Sequence, residues 1–120
     1  KEETFALCDI EATSFNQHHG KMNTYGYKIG KFVYSTDVKE FPKTSEKYLY
    51  NLDLWVIDCV RFEPHYSHSH FDQTISWIKK FKPKKAVLTH LGAWLDYEKL
   101  KKLCPDGVEP GYDGLQVNLT

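Results

Sequence analysis

The sequence lacks the features that mark several specialised classes of protein. None of its apolar runs approaches the roughly 20 residues of a membrane-spanning helix, so we expect no membrane protein. Neither sign of charge predominates, because 16 basic and 16 acidic side chains cancel, and this argues against a broad nucleic-acid-binding surface. Aromatic residues, by contrast, make up 15% of the chain, which argues against disorder and predicts a packed core.

Cysteine is scarce, and its spacing suggests no pairing. Cys8, Cys59 and Cys104 are an odd number of residues, lie far apart and include no Cys-x-x-Cys pair. This usage predicts reduced thiols in a cytoplasmic protein rather than a disulfide framework. Cys59 ends an apolar run and Cys104 ends a helical pattern, so we expect both to be small packing residues.

The 120 residues fit one domain of alternating strands and helices. Apolar runs predict strands, with a hairpin turning at Gly30–Lys31, and apolar residues at helical spacing predict helices behind caps at Ser69 and Asp96. The predicted strands are 4–15, 25–29, 31–36, 54–60, 85–90 and 114–119, the predicted helices are 44–52, 71–82 and 97–104, and 16–24 is predicted to be a loop. A strand-rich beginning followed by β-α-β-α-β units predicts an α/β fold.

The six histidines draw attention because they lie at strand ends or in loops. His18 and His19 open a loop, the group at 65, 68 and 70 follows strand 54–60, and His90 ends strand 85–90. Asp37 follows the hairpin. Such positions are where α/β enzymes collect ligands and catalytic groups, and imidazole with carboxylate suits Zn²⁺, Mn²⁺ or Fe²⁺. The alternative is that Asp37 is simply a turn carboxylate and that the histidines are hydrogen-bonded structural residues or lie in solvated loops.

Four stretches of the chain together resemble the second half of a metallo-β-lactamase-fold hydrolase. They are HGKMNTYGYKIGKFVYSTD, WVIDCVRFEPHYSHSHFD, KPKKAVLTHLGAWLDYEKL and PDGVEPGYDGLQV, in the family's order. The first stretch resembles the family's His-Gly loop and Ser-Thr-Asp element, and the second resembles its Asp-x-x-Arg and Pro-His-x-x-His region. The third resembles its Leu-Thr-His strand end, and the fourth its closing Tyr-Asp-Gly strand. The most similar branch is the phosphodiesterase-like one. It includes a cyclic-phosphate phosphodiesterase of phosphonate breakdown and is related to the tRNA 3′-processing endonucleases.

This resemblance implies roles for individual residues. His19 would be a ligand of a first metal ion, Asp37 the carboxylate that bridges two ions, and His90 a ligand of the second. His68 would face the substrate phosphate as general acid or oxyanion stabiliser, and His65 would support it. In the complete enzyme the cofactors would be two divalent ions, Zn²⁺ first and Mn²⁺ or Fe²⁺ as alternatives, and a metal-bound hydroxide would attack phosphorus.

Two departures from the family pattern change what we expect of these 120 residues. Ala93 stands where many relatives have a further histidine, and the family's His-x-His-x-Asp-His motif does not occur. We therefore expect that motif upstream of Lys1, and residues 1–120 to be a partial domain, the C-terminal half of an αββα sandwich. With only His19, Asp37 and His90 left as metal ligands, we expect partial or no occupancy of the metal site in residues 1–120. The expected partner is the missing N-terminal half or a second copy of the chain, because half a sandwich leaves a sheet face uncovered.

The leading expectation is thus a fragment of a metal-dependent hydrolase that acts on a phosphodiester or cyclic phosphate. Its substrate would be a small molecule or an RNA end, and the chain alone would be nearly inactive. Two alternatives stay open. One is a non-catalytic, oligomerising remnant or binding module, and the other is a thioester or lactam hydrolase, or a redox di-iron protein, on the same fold.

Overall fold

The computed structural model describes residues 2–119, which form one mixed sheet with helices. Its seven strands in this range follow sequence order, β1 to β7, across the sheet. They are β1 Glu3–Leu7, β2 Ile10–His19, β3 Met22–Ile29, β4 Phe32–Ser35, β5 Leu54–Asp58, β6 Lys85–Thr89 and β7 Val108–Pro110. Strands β1 to β4 pair antiparallel, whereas β4 to β7 pair parallel. The α/β prediction is therefore confirmed.

The N-terminal part corrects two predictions. The strand expected over 4–15 is two strands, joined by a turn in which Cys8 and Asp9 both take left-handed backbone angles (φ 48° and 70°). The loop expected over 16–24 is mostly strand, because β2 runs to His19 and β3 starts at Met22 after a two-residue turn. Polar residues that look loop-like in sequence are held here by the pairing of β2 with β3 and by a bridge between His18 and Glu40, and this pairing overrides intrinsic preference. The hairpin at Gly30–Lys31 is confirmed.

Two of the three predicted helices lie close to their expected positions, whereas the helix predicted over 44–52 is a shorter 3₁₀ helix. A 3₁₀ helix covers Lys43–Tyr48, α1 covers Phe71–Phe81, and α2 covers Tyr97–Leu103. Asp96 caps α2 as predicted, accepting a hydrogen bond from the Lys99 amide at 3.1 Å.

Two predictions about element ends were wrong. At the start of α1, Ser69 does not cap the helix; His70 occupies the cap position without a side-chain bond, and Ser69 Oγ instead donates to the Asp58 carbonyl. The strand expected over 114–119 is irregular chain, and the last strand is the shorter β7.

The core lies between one face of the sheet and the helices. Buried side chains of the sheet, Trp55 and Leu88 among them, pack against Ile75 and Ile78 of α1 and Leu100 of α2. Cys59 is buried in this core and Cys104 packs against it, as expected for small packing residues. None of the helices within residues 2–119 is long and apolar enough to cross a membrane.

The opposite face of the sheet is also apolar. Phe32, Leu54 and Val56 lie there, and with Leu115 and Val117 of the C-terminal segment they line a cavity of about 590 Å³. The two faces follow from the pleat, since neighbouring residues of a strand point to opposite sides.

Candidate metal centre

The polar cluster lies at one edge of the sheet, where three neighbouring parallel strands end. Asp37 follows β4, Asp58 is the last residue of β5, and His90 follows β6. The loop after β5 brings His68 back over this edge, and His19 reaches it from the end of β2. The rings of His19 and His68 are 4.4 Å apart, and those of His68 and His90 are 4.8 Å apart.

Asp58 organises the cluster. Its side chain is fully buried, and its two carboxylate oxygens accept hydrogen bonds from different histidines: Oδ2 from His68 Nδ1 at 3.0 Å and Oδ1 from His90 Nδ1 at 2.8 Å. The Val38 amide also donates to Oδ2, at 3.3 Å. Because a carboxylate only accepts hydrogen bonds, these contacts place a proton on Nδ1 of both rings. One buried carboxylate thus sets the tautomer and orientation of two histidines.

His19 is oriented in the same way by a backbone carbonyl. Its Nδ1 lies 2.6 Å from the Ser67 oxygen, so Nδ1 donates and Nε2 keeps its lone pair. His19, His68 and His90 therefore each commit Nδ1 to the protein. Their Nε2 atoms are left available to a metal ion or a substrate, which is the arrangement that metal-binding histidines commonly have.

Asp37 sits in a strained turn that side chains of β2 and β3 hold in place. Its φ is +55°, a left-handed value that few residues other than glycine adopt. Thr24 Oγ1 donates to the Asp37 carbonyl at 2.8 Å, and Gln17 Nε2 donates to the Thr36 carbonyl at 3.0 Å. The half-exposed Asp37 carboxylate then lies 3.5 Å from His90 Nδ1. The hydrogen bonds of Gln17 and Thr24 hold the turn in this left-handed conformation.

His65 serves the loop that carries His68. Its Nδ1 accepts from the backbone amides of Ser67 at 3.1 Å and His68 at 3.2 Å. Burial lowers the pKa of His65, and the positive charges of Arg61 and His68 lower that pKa further. A neutral ring with a free lone pair on Nδ1 is what these two amide donors need, so His65 shapes the loop beneath His68.

The donor set fits a divalent cation. Two groups place one ligand atom from each member within 4.8 Å of the others: His19, Asp37 and His68 form the first, and Asp58, His68 and His90 form the second. Imidazole nitrogen and carboxylate oxygen are ligands of Zn²⁺, Mn²⁺ and Fe²⁺. Within residues 2–119, neither group includes His18, His70 or Asp113.

The structure thus brings four of the five predicted site residues into these groups and places the fifth, His65, beneath one of them. Their service as ligands or catalysts stays a prediction. Sequence reasoning did not select Asp58 as a site residue. The available signal was an acidic residue inside the apolar run LWVIDCV, since a buried carboxylate has to find partners.

A family model and a curated relative match this chain. The family model described as "Beta-lactamase superfamily domain" matches residues 1–91. A curated octanoyltransferase from Porphyromonas gingivalis (strain ATCC BAA-308 / W83) is 32% identical over 116 residues, which is 94% of this chain and 23% of that protein. The chain therefore spans about a quarter of the curated relative that it matches.

Solved structures extend the comparison to the fold. A crystal structure of a diphosphatase from the PhnP family has a TM-score of 0.94 and 30% identity, over 98% of this chain and 47% of that one. The metallo-beta-lactamase fold protein YhfI from Bacillus subtilis has a TM-score of 0.74 and 16% identity, over 94% of this chain and 51% of that one. The short form of human tRNase Z has a TM-score of 0.64 and 17% identity, over 74% of this chain and 38% of that one. The chain spans about half or less of each solved relative, and the predicted metallo-β-lactamase fold is confirmed.

Proposed function

The chain belongs to the beta-lactamase superfamily, and from this premise we propose that it forms part of a divalent-metal-dependent phosphodiesterase. Its substrate class would be a phosphodiester or a cyclic phosphate. The observation that carries the proposal is the pair of histidines on the buried Asp58 carboxylate, His68 at 3.0 Å and His90 at 2.8 Å. The similar protein from the PhnP family is named a diphosphatase, and this likeness supports phosphoryl chemistry as well.

His68 and His90 would have different roles at this site. His19 would hold a first cation and His90 a second, each through Nε2, and Asp37 would contribute a carboxylate ligand. His68 Nε2 would carry the proton that the leaving oxygen of the phosphodiester needs, since Asp58 stabilises the charged ring while that proton is held. Divalent cations, when bound, supply Lewis-acid stabilisation of negative charge on the phosphoryl oxygens and favour ionisation of water. Zn²⁺ is our first expectation, with Mn²⁺ or Fe²⁺ as alternatives.

The acyl-transfer activity named for the curated relative has less support at this site. The match covers 23% of that protein, so its name describes a much longer polypeptide. Two of the three cysteines would also be poor thiol nucleophiles, because burial raises the pKa of Cys59 to about 12 and also raises the pKa of Cys104. The exposed Cys8 lies in the turn between β1 and β2 and belongs to neither group of potential metal ligands.

The face of the sheet opposite the helices is where we expect a partner to bind. Tyr27, Ile29 and Tyr34 are between 37% and 41% exposed, beside the cavity bordered by Phe32 and Val56. The pairing of β3 with β4 puts these side chains on one face, and exposed apolar residues gathered on one face are typical of an interface. We propose that the other half of an αββα sandwich covers it, which accords with the chain matching 47% of the similar diphosphatase. A second copy of the chain is the alternative, and that case would favour a non-catalytic, oligomerising module.

Metal binding and turnover test the proposal together. The chain would be purified without chelator, its Zn²⁺ content measured by elemental mass spectrometry, and its hydrolysis of bis(p-nitrophenyl) phosphate followed with Zn²⁺ or Mn²⁺. The same assays would be run on the chain extended by whatever its gene encodes on either side. We expect low occupancy and little turnover from the 120 residues, and gain of both in a longer polypeptide or on mixing with an upstream half.

Matched variants identify the residues responsible. His68→Asn should abolish turnover of the active form, and His90→Asn should weaken Zn²⁺ binding. His68 belongs to both groups of potential ligands, so a loss of Zn²⁺ affinity in His68→Asn as well would assign it to metal binding rather than to the proton. His18→Asn is the control, because His18 belongs to neither group of potential ligands. Nearly two ions per chain and full turnover from the 120 residues alone would overturn the partial-site proposal. An extended form that binds Zn²⁺ but leaves phosphodiesters intact would overturn the phosphodiesterase assignment. Sedimentation separates a monomer from a dimer.

A further inference from the structure

The charges of this chain are unevenly distributed, although they cancel in total. Residues 79–102 hold eight of the 16 basic side chains and two of the 16 acidic ones, so this segment has a net charge of +6 and the rest of the chain has a net charge of −6. A neutral total argues against a broad nucleic-acid-binding surface, but it leaves room for a local one. An anionic partner responds to the local charge of the surface that it contacts.

The fold gathers these basic residues at the edge of the sheet opposite the metal-ligand cluster. Helix α1 ends at Phe81 and β6 begins at Lys85, and α2 ends at Leu103 and β7 begins at Val108. Because β6 and β7 are parallel neighbours, the two helix ends come to the same edge, where these strands begin. The metal-ligand cluster lies at the other edge, where the parallel strands end.

Four exposed lysines at this edge have no carboxylate partner within residues 2–119. We call them the lysine patch: Lys79, Lys82, Lys101 and Lys102. Lys80 and Lys84 differ from them, because each forms an ion pair at 3.2 Å, with Glu46 and Asp53 respectively. An ammonium group without such a partner is available to an anion, and lysine commonly binds phosphate as a point charge. A lysine in the last turn of a helix also offsets the helix dipole, so the charge alone does not identify a ligand.

An exposed aromatic ring beside the lysine patch supplies the second observation. Tyr50 is 45% exposed, and its ring lies edge-on to Phe81, with the centroids 5.0 Å apart. Since Phe81 directly precedes Lys82, this contact holds the tyrosine ring next to the patch. Ammonium groups around an exposed aromatic ring are typical of single-stranded nucleic-acid binding, in which phosphates contact the cations and a base stacks on the ring.

The same edge is less suited to a membrane surface. Membrane-surface helices turn an apolar face outward, towards the lipid. Helix α1 instead buries its apolar residues Ile75 and Ile78 in the core, and its exposed residues near the patch are lysines.

We propose that the lysine patch and Tyr50 bind a single-stranded nucleic acid, with its phosphates on the lysines and one base stacked on the tyrosine ring. Such binding is independent of base sequence, because neither kind of contact reads the edges of the bases. The site lies at the opposite edge of the sheet from the metal-ligand cluster, so it does not depend on the proposed phosphodiesterase activity.

Salt-dependent binding of an oligonucleotide tests the lysine patch. Fluorescently labelled oligouridylate and oligothymidylate of about 12 nucleotides would be titrated with the protein in EDTA and followed by anisotropy. With four phosphates contacted, we expect the affinity to fall about 50-fold between about 50 and 200 mM NaCl. Lys79→Gln/Lys82→Gln should weaken binding and about halve the dependence on salt, because two of the four contacts are lost.

A charge-matched control separates the patch from the net charge of the protein. Lys21→Gln/Lys39→Gln removes the same charge from the edge that carries the metal-ligand cluster and should leave oligonucleotide binding unchanged. Equal weakening by the two double variants, or an affinity that does not change with salt, would overturn the proposed site.

The stacked base has its own test. Tyr50→Leu should weaken oligouridylate binding about fivefold or more, whereas Tyr50→Phe, which keeps the ring, should bind as the wild type does. Inorganic polyphosphate has the charge but no bases, so its affinity should be the same in Tyr50→Leu and wild type. A loss in Tyr50→Leu that is equal for both ligands would overturn the nucleic-acid assignment. Binding to phosphatidylserine vesicles without binding to either oligonucleotide would also overturn it.

Discussion

Replacing Asp58 with asparagine should uncouple the two histidines that this carboxylate orients. The carboxylate receives hydrogen bonds from His68, His90 and the Val38 amide, and it is fully buried. An asparagine of the same shape has one accepting oxygen, and its NH₂ group would face a ring nitrogen that now carries a proton. One ring must therefore shift its proton to Nε2 or turn away, which removes the lone pair that a metal ion would use.

The size of the effect follows from these contacts. Hydrogen bonds to charged groups contribute roughly 1.5–3 kcal/mol each, and asparagine removes or inverts one of the two histidine bonds. We expect the free energy of unfolding to fall by about 2 kcal/mol. Zn²⁺ affinity should fall about 10- to 100-fold, as is typical when a partner of a metal-binding histidine is lost.

Three assays measure these quantities. Urea unfolding followed by the fluorescence of the buried Trp55 gives stability, competition with a chelating dye gives Zn²⁺ affinity, and long-range ¹H–¹⁵N spectra report the histidine tautomers. Asp53→Asn is the control, because Asp53 lies at the other end of β5, where its carboxylate pairs with Lys84 at 3.2 Å. Asp58→Asn protein with unchanged tautomers and Zn²⁺ affinity within twofold of wild type would refute the reasoning.

Three further predictions concern the support of the site and the core. Thr24→Val should lower Zn²⁺ affinity about tenfold, because it removes the hydrogen bond that holds the Asp37 turn. Thr24→Ser keeps the hydroxyl and should retain the wild-type affinity. Equal Zn²⁺ affinities of Thr24→Val and wild type in a dye-competition assay would exclude this role. Burial raises the pKa of the Cys59 thiol from its ordinary 9.0 to about 12, so above pH 9 the unfolded chain loses a proton that the native chain keeps. Urea titrations from pH 8 to 11 should show wild-type stability falling more steeply than that of Cys59→Ala, by up to about 1.4 kcal/mol per pH unit; parallel curves would contradict this. Gly26→Ala should cost about 1–3 kcal/mol in urea unfolding, because its Cβ would lie 2.4 Å from the Phe15 ring, and an unchanged midpoint would show that the ring can move.

Several features of the fold were predictable because they are local. The apolar run that became β5, the spacing of Phe71, Ile75 and Ile78 in α1, and the cap at Asp96 each depend on residues only a few positions apart. The prediction of a strand over 114–119 was wrong for a related reason. Alternation shows that a segment could be a strand, but it does not supply the neighbour with which a strand has to pair.

The sequence by itself determined the chemistry that is available: histidines and carboxylates at strand ends, and a family resemblance that the comparisons confirm. Only the tertiary structure decided which of them meet. Parallel pairing of β4, β5 and β6 brings Asp37, Asp58 and His90 to one edge, and the loop after β5 folds back to add His68. The same folding step placed Asp58 at the centre of the cluster. A buried carboxylate is stable only where the fold supplies hydrogen-bond donors. The histidines that donate to Asp58 are 10 and 32 positions away in the sequence.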